Sequence, residues 1–267
     1  MRLFTSGLRK LARRPATYVI FGLLAAMMAL IIIASATTGG QVGGDRPGGP
    51  GGDPLALVTF PGAYTQILSF MIGLGGLFGV MYGATIAGSE WSWGTLKAVV
   101  TRGESRSLYM LATFAAIPVV AAIGLLVAFG IGVGTSALGA VIAGVSLDGI
   151  GNGDALRQLP DSFARGWVGI AAEAALGFAV ATLARSQLAG IAAGIGVYFA
   201  GSFAGVFVPD VTQYLPFQLA TTAVGGTGFG DVAASLSPDA ALLLLGAWLI
   251  ASLAVAAGFT QRAEITG

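Results

Sequence analysis

Between its charged residues this chain runs for distances that suit a lipid solvent rather than water. Five windows carry no Asp, Glu, Lys or Arg: 15–44, 54–89, 107–147, 186–209 and 240–261. A sixth, 166–184, is interrupted only by Glu173. A hydrocarbon core of about 30 Å needs about 20 apolar residues wound as helix, so each window is close to or above the length of a span. Composition points the same way. Charged residues make up 9% of the chain, against roughly 25% in an ordinary soluble domain. Hydrophobic residues reach 55% and the mean hydropathy is +0.85. A soluble protein with these figures would have too few charges to cover its surface. The expected fold class is therefore an all-α polytopic membrane protein.

Glycine and proline signals trim the windows to spans of about 17–38, 62–87, 108–135, 166–184, 187–208 and 239–260. Only Arg185, Ser186 and Gln187 separate the fourth from the fifth, which predicts a tight helical hairpin. The window 107–147 is long enough for two spans with a glycine turn in "GIGVGTSALG", giving seven in all. With six spans both termini share one side, and ten of the 13 Lys and Arg fall inside with them. The exceptions are Arg46, Arg157 and Arg165. The seven-span arrangement gives the same split, so the positive-inside rule does not separate the two. No charged or polar hairpin marks 107–147, which favours six.

The chain divides into an interfacial segment, 1–16, and one transmembrane domain, 17–267. In the first, Phe4, Leu8 and Leu11 follow helical spacing while Arg9, Lys10, Arg13 and Arg14 offer a basic face to anionic headgroups. Pro15 ends this helix. The stretch 39–54 is a glycine- and proline-rich connection, and 148–165 is expected to hold a short surface helix. Residues 209–238 carry no charge from 211 to 230, which suits a re-entrant or interfacial segment better than a free loop. Glycine rows at Gly75, Gly79 and Gly83, at Gly130 and Gly134, at Gly190 and Gly194, and at Gly201 and Gly205 predict close helix packing.

Several chemistries are excluded by residue type. There is no Cys and no His, so haem or zinc ligation through those side chains and a Ser-His-Asp hydrolase are ruled out. A phosphate-binding loop needs Gly-Lys-Ser or Gly-Lys-Thr, and the two lysines, Lys10 and Lys97, are followed by Leu and Ala. No catalytic, metal-binding or cofactor-binding residue is expected, and a net charge of +1 gives no argument for nucleic acid.

The charged island "GSEWSWGTLKAVVTRGESRS", 88–107, stands between two long uncharged windows. Its pattern is Glu90, three residues, Gly94-Thr95-Leu96-Lys97, then Thr101-Arg102-Gly103, then Ser105-Arg106. This resembles the cytoplasmic loop between the second and third spans of permeases in the type-2 ATP-binding-cassette exporter family. There the order is acidic-x-x-x-Gly-Thr-[Leu/Ile]-[Lys/Arg], then [Ser/Thr]-Arg-[Gly/Pro], then a basic pair or Ser-Arg. The basic elbow before the first span, the inner turn "LARSQLAG" (183–190) and "YLPF" (214–217) extend the similarity over most of the chain. Thr113 departs from it, since members often carry Lys there.

The resemblance implies a permease without ATPase activity of its own. ATP and magnesium would sit on a separately encoded cytosolic ATPase, and a second permease copy, identical or related, would complete the transporter. It also implies a prokaryotic cytoplasmic membrane with both termini cytoplasmic. Glu90, Trp91, Trp93, Gly94, Thr95, Lys97, Arg102 and Arg106 would then form the docking surface that couples ATP hydrolysis to the bundle. On residue types alone the island also fits an ordinary positive-inside loop with interfacial tryptophans.

Glu173 is the one ionisable Asp, Glu, Lys or Arg within a span, where insertion costs about 2.5–3.5 kcal/mol for an Asp-like charge. It reads either as a substrate- or proton-contacting group on a translocation path, with Tyr198, or as one end of an interhelical hydrogen bond to Tyr198 or Gln187. An ion- or proton-coupled secondary transporter using Glu173 and a non-transporting membrane assembly factor are the alternatives to the permease.

Overall fold

The structure is a computed structural model that describes residues 2–38, 54–101, 103–225 and 236–263. The described residues form ten α-helices, two short 3-10 turns and no strand. In chain order they are α1 (Arg2–Ala12), α2 (Pro15–Thr38), α3 (Gly62–Ser92), α4 (Thr95–Thr101), α5 (Arg106–Ala143), α6 (Gly153–Ala184), α7 (Gln187–Phe207), α8 (Pro209–Thr212), α9 (Pro216–Ala223) and α10 (Pro238–Arg262). Six of them, α2, α3, α5, α6, α7 and α10, are long and apolar enough to cross a membrane. The chain is an all-α, multi-pass membrane protein.

The window 107–147 is filled by one unbroken helix, α5, of 38 residues. Its glycines do not turn the chain, because a break in hydrocarbon would strand backbone N–H and C=O groups. Gly144, at φ 70°, ends it instead. Pro118 lies inside α5, and Trp167 Nε1 donates to the Pro118 carbonyl at 2.8 Å. The stretch 148–165 departs from expectation. A 3-10 turn at Asp148–Gly151 is followed directly by α6, so no separate surface helix forms. Asn152 caps α6 by accepting from the Ala155 N–H at 3.0 Å, and the helix begins well before its apolar part. The expected hairpin is present: Arg185 adopts φ 52° and Ser186 caps α7 by accepting from Ala189 N–H.

Helices α3 and α6 form the most extensive interface, and glycine makes it. A Cβ on Gly83 would lie 2.0 Å from the Ala174 carbonyl oxygen, and one on Gly177 would lie 2.1 Å from that of Val80. Backbone therefore rests on backbone, as small-residue spacing allows. Gly190 and Gly194 let α7 close on α6 and α3, against the side chains of Ala181 and Val80. The row Gly130 and Gly134 behaves otherwise: nothing lies within 4 Å of a Cβ at either, so that row is not a packing seam in this chain.

The uncharged segment after α7 folds as α8 and α9, with residues 226–235 outside the described set. Leu219, Ala220 and Ala223 of α9 are buried against Leu68, Ala172 and Leu245. The segment is thus wedged into the bundle beside α6 and α10, in keeping with its composition. The remaining exposed apolar side chains, such as Leu126 on α5, Phe203 on α7 and Leu243 on α10, face outward on the spans, where lipid is their solvent.

Candidate functional site

The island begins inside a helix. Helix α3 continues past the apolar window to Ser92, carrying Ser89 and Glu90 in its last turn. Gly94 then adopts φ 64°, a conformation in which Cβ crowding disfavours other residues. That turn lets the chain fold back as α4, whose Leu96 and Val99 are buried. Gly103, at φ 74°, makes the next turn, and Ser105 caps α5 by accepting from Leu108 N–H.

Glu90 is the centre of this arrangement. Its side chain is 0% exposed. One carboxylate oxygen, Oε1, is ion-paired with Lys10 Nζ from α1, and the other accepts from Thr95 Oγ1 at 2.6 Å and Tyr109 Oη at 2.8 Å. Arg14 donates to Ser89 Oγ at 3.0 Å and lies 4.0 Å from Glu90 Oε1. A buried charge needs such pairing, because removing it from water without a partner costs several kcal/mol. One carboxylate thus ties α1, α3, α4 and α5 together.

This corrects the expectation that Glu90 belongs to an exposed docking surface. The carboxylate is enclosed, so it positions the loop rather than presenting itself to a partner. The elbow departs from expectation at two of its four basic residues. Its apolar face packs on protein, with Leu11 fully buried near Ala116 and Met110, and Lys10 and Arg14 turn toward the island.

The other named residues divide by exposure. Trp93 is 66% exposed, with the Arg14 guanidinium 4.9 Å from its ring centroid and Lys10 Nζ at 5.9 Å. Both distances are within the range of cation–π attraction. Trp91 is half-buried, with the Arg185 guanidinium 5.2 Å from its ring centroid and the Phe259 ring tilted at 59° to it, centroids 6.1 Å apart. Arg106 donates to the Ala263 carbonyl at 2.9 Å, fastening α5 to the end of α10. Gln261 does the same through Ser107 Oγ at 3.0 Å. Arg102 and the Lys97 side chain lie outside the described residues. Thr101 and Glu104 are also exposed. The elbow, the island, the Arg185 turn and the end of α10 therefore gather at one end of the bundle.

Glu173 sits on the α6 side of the glycine seam, 1% exposed. A Cβ on Gly76 would lie 2.2 Å from Glu173 Oε2, so the carboxyl occupies space that only glycine leaves open on α3. Oε2 is buried without a hydrogen-bond partner. The expected interhelical partners are engaged elsewhere: Tyr198 Oη donates to the Gly73 carbonyl at 3.1 Å, and Gln187 Nε2 donates to Thr85 Oγ1 at 3.5 Å. Gly73, which accepts from Tyr198, and Gly76, which faces Glu173, lie one helical turn apart on α3.

Sequence reasoning did not find Lys10, Arg14, Ser89 and Tyr109 as parts of the island, nor Arg185 as the partner of Trp91. Among the described residues no group of three or more acidic residues could hold a metal ion. No curated protein matches the chain. A family model does match, that of DUF2705, described as a protein of unknown function, over residues 22–260. Because that match spans most of the chain, from the first membrane helix to the last, the chain belongs to the DUF2705 family.

Proposed function

We propose that this protein is the membrane-spanning permease subunit of an ATP-binding-cassette transporter working as an exporter. A separately encoded cytosolic ATPase, carrying ATP and magnesium, drives it through residues 88–107. A second permease subunit, identical or related, completes the assembly in a prokaryotic cytoplasmic membrane, with both termini cytoplasmic. The chain itself performs no catalysis. Substrate passes along the bundle near Glu173 and Tyr198.

The observation that carries this reading is the Glu90 clamp beneath an exposed Trp93. A loop that merely connected two spans has no need of a buried carboxylate joining four helices. A loop that must transmit force does, because a push on α4 reaches α3 and α5 only if the three are fastened together. The glycine-rich α3–α6 seam supports the same reading, since backbone contact leaves few flexible side chains to absorb a displacement. Glu90 and Arg106 act in this scheme as positioning residues, and Trp93, Thr101 and Glu104 make up the face offered to the ATPase.

The test is co-expression with an ATPase encoded next to this chain, reconstitution in vesicles, and measurement of ATP hydrolysis. Hydrolysis should depend on the permease, and Arg102→Glu should uncouple hydrolysis from transport while leaving insertion intact. A purified, fully active transporter with no ATPase subunit would overturn the proposal.

A further inference from the structure

The end of the bundle opposite the island carries a polar cleft. On α3, Thr65 and Ser69 are one helical turn apart, and on α6 Asp154, Gln158 and Ser162 recur every fourth residue. Each set therefore forms one strip along its helix. Both strips line a single cavity of ≈ 320 Å³, which Asn152 also borders. Along the α3 axis Ser69 stands about 32 Å from Glu90, close to the roughly 30 Å of a hydrocarbon core. The cleft thus opens at one aqueous boundary of the membrane and the island lies at the other. Buried Leu68 and half-buried Leu159 add an apolar lining.

The polar groups of the cleft are not engaged within the protein. Elsewhere on the spans hydroxyls return to the carbonyl one turn back, as at Thr37, Thr135, Thr182 and Thr260. Among the described residues, Thr65, Ser69, Gln158 and Ser162 make no side-chain hydrogen bond, and Asp154 has no cationic partner. Asn152 commits its Oδ1 to the Ala155 N–H and keeps its amide N–H groups to donate. The walls are nevertheless fixed, because Tyr64 Oη donates to the Ile150 carbonyl at 2.6 Å and ties α3 to the turn before α6. A preformed cavity with a few placed polar groups is the ordinary form of a small-molecule site, at volumes of about 300–1,000 Å³.

Charge narrows the ligand. Among the described residues that line the cleft, Asp154 alone is charged. Arg165 is held by Asp161 at 2.7 Å and by Asp239 at 2.8 Å, and Arg157 falls off the Asp154–Gln158–Ser162 strip. The helix N-termini offer an anion little, since Ala63 N–H donates to the Thr59 carbonyl at 2.9 Å and Ala155 N–H to Asn152. We propose that this cleft binds a small molecule carrying a primary ammonium group together with hydroxyl or amide groups. The ammonium pairs with Asp154, and the hydroxyl or amide groups bond to Thr65, Ser69, Gln158 and Ser162. The site lies at the far end from the island and rests on neither the ATPase nor Glu173.

Saturation-transfer NMR on the full chain in phosphatidylcholine nanodiscs tests this. Glucosamine carries the ammonium and hydroxyls, glucose lacks the ammonium, and glycyl-serinamide places the ammonium on a peptide. Glucosamine or glycyl-serinamide should bind about tenfold more tightly than glucose, and Asp154→Asn should remove that advantage. Which of the two binds tells a sugar source from a peptide one. Asp161→Asn, off the cleft, should leave the advantage in place. Ser69→Ala with Ser162→Ala keeps Asp154 and should still weaken the ammonium probe by about tenfold. If Asp154→Asn does not insert, Gln158→Glu serves, because a second carboxylate about 4 Å from the ammonium should tighten binding about fivefold. Absence of binding by both ammonium probes, no preference over glucose, a preference that persists in Asp154→Asn, or indifference to the serine pair overturns the proposal. Loss of ATPase coupling alone leaves these titrations unchanged, so the two proposals fail separately.

Discussion

The Lys10–Glu90 pair yields a number that can be checked. Glu90 is fully enclosed, whereas the Lys10 side chain keeps 28% of its exposure. Removing one partner of a fully buried pair costs about 3–5 kcal/mol, and an exposed pair is worth about 0.2–1 kcal/mol. Lys10 can reach water when abandoned, which lowers its share. Glu90 cannot, but Glu90→Gln keeps its shape and neutral hydrogen bonds to Thr95 and Tyr109. A hydrogen bond to a charged group contributes about 1.5–3 kcal/mol, so the coupling between the two positions should fall near 1–3 kcal/mol. The assay is a double-mutant cycle with Glu90→Gln, Lys10→Met and both together. Reversible unfolding in mixed micelles would be followed by tryptophan fluorescence. Lys10→Met keeps the aliphatic stem, so its packing changes little. Coupling below about 0.3 kcal/mol, the level at which independent sites add, would show that the elbow is not clamped to the island.

The glycine seam should discriminate sharply: Gly83→Ala and Gly177→Ala each press a methyl into a carbonyl and should cost about 1–3 kcal/mol. Gly130→Ala, with open space around it, should stay within about 0.5 kcal/mol by the same unfolding assay. Trp93→Ala should leave stability nearly unchanged and weaken ATPase association by about 2 kcal/mol or more, as for a tryptophan anchor, measured by binding to the purified ATPase. Because the chain has no cysteine, single cysteines at Asn152 and Ser186 report topology without background. An impermeant thiol reagent on intact cells should label position 152 and spare 186, and the opposite pattern would invert the proposed orientation.

What could be read from the sequence followed the range of each physical signal. The membrane helices were legible because hydropathy acts over a window as long as the helix itself. The Arg185 turn was legible because three residues leave room for nothing else. The early start of α6 was missed because residues 153–165 are polar and carry Asp154, Arg157, Asp161 and Arg165. The signals that could have found it were Asn152 as a cap and the helical spacing of Leu156, Leu159 and Phe163. The clamp was not legible at all. Lys10 and Glu90 are 80 residues apart, and no local pattern joins them. The motif singled out the right stretch, but reading its charges as exposed assumed that a polar loop lies open to water. A basic partner delivered by the elbow made burial of Glu90 affordable in the energetic sense. The same limit hid the surroundings of Glu173, since that Gly76 faces it follows from helix packing.

Helix α3 belongs to every feature with a functional claim, and its geometry sets what can move. At 1.5 Å per residue its 31 residues span about 46 Å, from the α8–α9 end of the bundle to the island. Gly76, against which Glu173 rests, lies about 21 Å along that axis from Glu90. Between them α3 meets α6 through backbone at Gly83 and Val80, so at those points the two helices have no side-chain layer in which to slip. A displacement of the island therefore carries α3 and α6 together. The contact between α2 and α5 is of another kind, made by larger side chains such as Met28, Ile32 and Leu125, and α5 contains Pro118, which cannot donate a backbone hydrogen bond to the preceding turn. Because the Glu90 clamp holds the first turns of α5 to α3, relative motion should fall beyond Pro118, between the α3–α6 pair and the rest of α5 with α2, with Trp167, bonded to the Pro118 carbonyl, at the boundary.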